Sequence, residues 1–228
     1  AKLITPGKAL ETVSAGEPRW AQEAVAMADD QSIELPSTTH LVIVDKDGNI
    51  VSMTSTIENG FGSRVMSNGF LLNNELTDFS TVYDPTDPNR IEPGKRPRSS
   101  MSPTIILKDG DPYLALGSPG GSTIITTVLQ TIVNRVDLGM GISDAIAAPR
   151  ASQRNTAKVT AEPDFISANG ENLARYGHEF VPSGDAFTSA AEIGAATAIE
   201  FLPDGRMIAA AEPARRGGGS AMVVQPSR

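Results

Sequence analysis

From residue 40 onward, apolar and polar positions alternate in short runs broken by polar turns, the pattern of strands with one covered face. Leu41, Ile43, Ile50 and Val51 flank the turn Lys46-Asp47-Gly48-Asn49, which predicts a β-hairpin with Thr38 and Thr39 at its mouth. Strands are expected at about 40–45, 50–57, 69–73, 104–108 and 112–117. The period then changes. Ile124, Ile125, Val128, Leu129, Ile132 and Val133 recur at helical spacing within 122–136, and a short helix at 142–148 follows Gly139-Met140-Gly141. A strand near 157–161, a helix over 163–176 and strands near 195–202, 207–211 and 221–224 complete the chain, with Pro203-Asp204-Gly205-Arg206 as the last hairpin turn. Residues 17–28 are weakly helical and alanine-rich, and 1–37 read as a tail or connector ahead of the domain. Runs of strands followed by runs of helices predict a layered α+β fold with helices over one face of the sheet.

Composition adds exclusions. The 228 residues, 39% of them hydrophobic, are enough for a substantial core. The chain has no cysteine, which rules out disulfides, thiolate catalysis and cysteine-bound metals. A net charge of -8 argues against an extended phosphate-binding surface; the basic clusters Lys95-Arg96-Pro97-Arg98 and Arg215-Arg216 are local and lack interleaved aromatics, so no nucleic-acid partner is expected. The apolar runs are too short to cross a bilayer, and the N-terminus lacks the layout of a signal peptide.

The two histidines, His40 and His178, are far apart and outside any nucleophile-elbow context, which disfavours a histidine triad and a metal site; interior packing or surface exposure is the simpler reading. Catalysis, if present, falls on hydroxyls and backbone. Gly117-Ser118-Pro119-Gly120-Gly121-Ser122 precedes the strongest helix: it is either a plain helix start or, beside a nucleophile, an oxyanion hole, and it lacks the lysine of a phosphate-binding loop. Glu75 and Asp78 stand three apart in Leu72-Asn73-Asn74-Glu75-Leu76-Thr77-Asp78, as a solvated acidic turn or a pocket for one ammonium group. Ser99 and Ser100 either cap a turn or bind a ligand.

Together, Thr38-Thr39-His40, Thr54-Ser55-Thr56, Phe61-Gly62, Leu72-Asn73-Asn74-Glu75, Asp78-Phe79-Ser80, residues 95–103 and 117–122 resemble, in order and spacing, the small subunit of the γ-glutamyltransferases, which are N-terminal nucleophile hydrolases. The ending Ala211-Glu212-Pro213-Ala214-Arg215-Arg216-Gly217-Gly218-Gly219 is similar to relatives of that family. The resemblance implies an α+β, four-layer αββα sandwich of which this chain supplies the C-terminal part, with residues 1–37 the end of a large subunit and 38–228 the small-subunit catalytic domain. The rest of the large subunit would be the partner, supplying an arginine for the substrate's α-carboxylate. No cofactor or metal is implied, and the compartment implied is the periplasm or the cell exterior.

The same resemblance assigns roles. An inactive precursor would cut itself at Ser37-Thr38, freeing Thr38 as nucleophile, with its α-amino group as base at a reference pKa of about 7.7 to 8.0. Thr56 would orient Thr38, and the N–H groups of Gly120 and Gly121 would hold the oxyanion, each donor of such a hole contributing about 2.7 to 4 kcal/mol. Glu75 and Asp78 would take the α-ammonium group, and Ser99 and Ser100 the α-carboxylate, of glutathione or another γ-glutamyl donor, with water or an amine as acceptor. Glu58 stands where well-known γ-glutamyltransferases have asparagine, and a carboxylate there would repel the α-carboxylate of glutathione. The stretch Thr54-Ser55-Thr56-Ile57-Glu58 is similar to relatives described as cephalosporin-acylase-like or as poly-γ-glutamate depolymerases. A further alternative is an uncleaved, inactive fragment that pairs with the absent subunit.

Overall fold

The computed structural model describes residues 7–10, 13, 38–183 and 193–225, so the helical signal at 17–28 and Ser37 lie outside the described residues. Strands β1 (Thr39–Val44) and β2 (Ile50–Ser55) form the expected hairpin, with Thr39 opposite Ser55 and Val44 opposite Ile50. The turn is locked by the Asp45 carboxylate, which accepts the Asp47 and Asn49 N–H groups at 2.9 Å each. Two short strands follow, β3 (Met66–Ser67) and β4 (Phe70–Leu71), and residues 79–103 contain neither helix nor strand.

Strands β5 (Thr104–Lys108), β6 (Asp111–Gly117), β10 (Thr197–Phe201) and β11 (Met207–Ala211) make an antiparallel sheet in the order β11-β10-β6-β5. Helices α1 (Ile124–Val136) and α2 (Ile142–Ala147) cover one face. Period two on β6 explains the layering: Leu114 and Leu116 join Ile124, Val128, Ile142, Ile146, Ala198 and Ala210 in the core. Each of the large side chains buried there contributes about 1.5–3 kcal/mol. The β1–β2 hairpin lies across β6 and β10 without joining their hydrogen-bond ladder. The result is a hairpin layer, a sheet layer and a helix layer. A buried charge ties helix to sheet, because Glu200 of β10, 3% exposed, accepts Arg135 Nε of α1 at 2.9 Å.

A smaller sheet comprises β7 (Ala151–Ser152), β8 (Val159–Ala161) and β9 (Phe180–Pro182), the last two parallel, with α3 (Pro163–Ala174) between them in sequence. Pro163 opens α3, where its missing N–H has no helical partner to lose. This helix packs on β9 through Phe165 and Phe180, whose ring centroids are 6.1 Å apart.

Several expectations need correction. The strand expected at 69–73 shrinks to Phe70–Leu71, because the chain turns there to set Leu72 against Ser63 and Val65 by main-chain bonds at 2.9 Å. Residues 221–224 form no strand: they are exposed and no described strand pairs with them, so the apolar run lacks the ladder that a strand requires. The helix expected from 122 begins with a 3-10 turn at Gly121–Thr123, and β2 ends at Ser55, releasing Thr56 from the ladder.

Candidate active site

Thr38 sits immediately before β1 and Thr56 immediately after β2, so the hairpin register brings residues eighteen apart in sequence side by side. The Thr38 hydroxyl donates to Thr56 Oγ1 at 3.2 Å, and Thr56 Oγ1 also accepts the Glu58 N–H at 2.9 Å. The second contact turns the chain sharply, with Glu58 at φ 74, in the left-handed region.

That turn points toward an acidic group. The carboxylates of Glu58, Glu75 and Asp78 offer oxygens that all lie within 4.8 Å of one another. Asn74 holds the two segments together: its Oδ1 accepts the Asn59 N–H at 2.9 Å and its own N–H reaches the Ile57 carbonyl at 3.3 Å. Glu75 and Asp78 occupy one 3-10 turn, Glu75–Asp78. Partial burial, then the neighbouring Asp78 charge, push the Glu75 carboxyl above the usual range. Three carboxylates so placed suit a single cation, an ammonium or a metal ion.

Ser99 and Ser100 lie at the far end of residues 79–103. Ser99 Oγ accepts the Met101 N–H at 3.2 Å, and the Ser100 carbonyl accepts the Ser102 hydroxyl at 3.0 Å. The glycine pair occupies the turn between β6 and α1, with Gly120 at φ 145 and Gly121 at φ 53. A side chain at Gly120 would put Cβ 2.7 Å from Thr123 Oγ1 and 3.0 Å from the Gly194 Cα, so glycine is needed both for dihedral and for space. Buried Ser118 braces the turn by accepting the Ala195 N–H at 2.9 Å.

His40 connects hairpin to turn. Its ring is buried, with Nδ1 2.8 Å from Thr54 Oγ1 and Nε2 3.3 Å from Ser52 Oγ, which in turn donates to the Leu116 carbonyl at 3.0 Å. The ring fills the space above Gly117, three residues before Gly120; a Cβ there would lie 2.1 Å from the ring. Burial pushes the imidazole down to about 4, so it is neutral at physiological pH.

The sequence had singled out Thr38, Thr56, Glu58, Glu75, Asp78, Ser99, Ser100, Gly120 and Gly121. The structure groups the first two, then the three acids, and leaves the serines and glycines on flanking loops. Ser37 lies outside the described residues. Sequence reasoning assigned no role to three residues that hold these groups, Asn74, Ser118 and Gly194. An asparagine with a tertiary partner looks like any turn asparagine in sequence. The feature that marks them is their burial or their contacts, neither of which has a period.

A hairpin that opens on a threonine pair, stacked on an antiparallel sheet backed by helices, is the architecture of an N-terminal nucleophile hydrolase. Residues 1–222 match the family described as Gamma-glutamyltranspeptidase. The chain is 40% identical, over 187 residues and 78% of its length, to a glutathione hydrolase proenzyme of Bacillus subtilis subsp. natto, and spans 31% of that relative. It superposes on a gamma-glutamyltranspeptidase W525D mutant from Pseudomonas nitroreducens with TM-score 0.69 and 37% identity, covering 82% of this chain and 100% of that one. A cephalosporin acylase from Bacillus halodurans superposes with TM-score 0.71 and 29% identity, covering 86% of this chain and 37% of that one. The chain belongs to the gamma-glutamyltranspeptidase family.

Proposed function

We propose that this chain is the nucleophile-bearing part of a self-activating γ-glutamyl transferase and hydrolase. The observation that carries the reading is the Thr38 hydroxyl bonded at 3.2 Å to Thr56 Oγ1 at the mouth of the hairpin. In the precursor, Thr38 Oγ1 attacks the Ser37 carbonyl carbon. The C–N bond breaks, the nitrogen takes up the hydroxyl proton, and an ester joins Ser37 to Thr38 Oγ1. Water hydrolyses that ester, leaving a Ser37 carboxylate and a Thr38 with free amine and hydroxyl. Residues 1–37 then end the large subunit and 38–228 form the small one.

In turnover, the Thr38 amine accepts the hydroxyl proton as Oγ1 attacks the γ-amide of the donor, and returns it to the departing amine. The acyl-enzyme passes its γ-glutamyl group to water or to an amino acid or peptide amine. Thr56 orients the nucleophile, and the Gly120 and Gly121 N–H groups stabilise the oxyanion. The α-ammonium group of the donor sits at Glu75 and Asp78, and the α-carboxylate at Ser99 and Ser100, completed by an arginine of the large-subunit region. The likeness to a glutathione hydrolase proenzyme supports glutathione or a related amide as donor and processing from a precursor. The periplasm or cell exterior is the compartment that fits this activity.

Glu58 favours a second reading. A third carboxylate beside Glu75 and Asp78 disfavours an α-carboxylate nearby, so an acylase or poly-γ-glutamate hydrolase acting on another acyl group fits the same nucleophile. Nitroaniline release from L-γ-glutamyl-p-nitroanilide and from glutaryl-p-nitroanilide separates them in the complete protein. Faster turnover of the γ-glutamyl substrate, increased by a dipeptide acceptor, is the outcome expected. Preference for the glutaryl substrate would replace this reading with the acylase one.

A further inference from the structure

We infer that Asn89 is a positioning residue that fixes the spacing between the ammonium-binding and carboxylate-binding halves of the donor pocket; the inference rests on the γ-glutamyl reading above. An α-ammonium and an α-carboxylate carried on one carbon must be met by two sites at a short, fixed separation. Asp78 stands at one end of residues 79–103 and Ser99 and Ser100 at the other, and no helix or strand spans the distance between them. Rigidity there has to come from side chains.

Asn89 supplies it. It is 4% exposed, and its amide lies between the main chains of the two ends. Nδ2 donates to the Asp78 carbonyl at 2.7 Å, and Oδ1 accepts the Arg98 N–H at 2.9 Å, one residue before Ser99. Its own carbonyl accepts the Ser80 N–H at 3.1 Å, and its N–H is held by Asp87 Oδ1 at 2.7 Å. Phe79, next to Asp78, is buried as well.

The chemistry leaves little choice of residue. Only an amide offers a donor and an acceptor at this length: aspartate lacks the donor and sets a charge against the Asp78 carbonyl, glutamine is one methylene too long, and leucine leaves both main-chain groups unpaired in a buried place. The residue touches neither nucleophile nor substrate, so its loss acts on donor binding through Asp78 and Ser99.

The test uses the complete precursor, with its large-subunit region, carrying Asn89→Ala or Asn89→Asp. Intact mass reports self-cleavage, and steady-state rates are taken with L-γ-glutamyl-p-nitroanilide and with glutaryl-p-nitroanilide, which lacks the α-ammonium group. In Asn89→Ala, cleavage should persist, KM for the γ-glutamyl substrate should rise about tenfold with kcat within about threefold, and preference over the glutaryl substrate should fall. Asn89→Asp, which keeps the acceptor for Arg98 but sets a carboxylate against the Asp78 carbonyl, should show a rise at least as large, and it decides the matter by the same criteria if the alanine variant does not fold. An unchanged KM and preference, or an equal loss on both substrates, would overturn the inference while leaving the functional reading intact. Absence of any γ-glutamyl preference in the unaltered protein would remove the reading and the inference together.

Discussion

Gly117→Ala adds a single methyl group at the end of β6, and the structure specifies what it meets. Its Cβ would lie 2.1 Å from His40 Cε1, 2.4 Å from Nε2 and 2.6 Å from Nδ1. No ring atom can stay at those distances, so the imidazole has to move away from Thr54 and Ser52 or the hairpin has to lift from β6. Overpacking of this kind costs about 1–3 kcal/mol. The larger effect is on alignment, because Thr38 is two residues before His40 and the Gly120-Gly121 pair lies just beyond Gly117. A displacement of about an ångström between the proposed nucleophile and the proposed oxyanion donors lowers the rate roughly 10²-fold. The assay is kcat together with the rate of appearance of the cleaved subunits. His40→Ala in the same chain removes the ring that the methyl strikes, so the double variant should recover part of the loss, with a coupling of about 0.5–3 kcal/mol. Near-normal cleavage and turnover in Gly117→Ala, or no recovery in the double variant, would refute the argument that His40 sets this alignment.

Two other outcomes follow from buried charge. His40 is held neutral in the fold, whereas in the unfolded chain it takes up a proton below about pH 6.5. Its contribution to stability is therefore complete above that pH and declines as the pH falls from 6.5 to about 4, where the folded form protonates too. Urea midpoints followed over this range should fall less steeply in His40→Asn than in the unaltered protein; parallel curves would contradict the assignment. Glu212 and Arg150, each 1% exposed and 3.0 Å apart, form a buried pair that Arg215 joins at 2.9 Å. Glu212→Gln leaves Arg150 without its counter-charge, already disfavoured there by burial and by the Arg215 charge, and should cost about 3–5 kcal/mol in a denaturation midpoint; a change below about 1 kcal/mol would show that the carbonyls of Ile146 and Ile193 satisfy it alone.

The hairpin at the start of the domain was legible because its turn chemistry and its period agree: Asp45 to Asn49 can close only one kind of connection, and Ile43 faces Val51 in the register observed. Helix α1 was legible for the same reason. The layering was legible only in outline. Nothing periodic in the sequence says that the hairpin lies across β6, which depends on a histidine ring fitting over a glycine seventy-seven residues away. Among the site residues, Thr38 and the glycine pair stood out through their types and positions, but the grouping of Glu58 with Glu75 and Asp78 depends on Asn74 joining two loops. Residues 221–224 illustrate the converse, since a strong β-forming run makes no strand without a partner.

Self-activation turns on one bond, Ser37-Thr38, and intact mass measures it directly. Expressed with its full large-subunit region and incubated near neutral pH, the chain should split into two masses that meet at that bond, and Thr38→Ala should remain a single mass. Cleavage that persists in Thr38→Ala, or an unsplit full-length protein with Thr38 in place, would contradict the self-activating threonine.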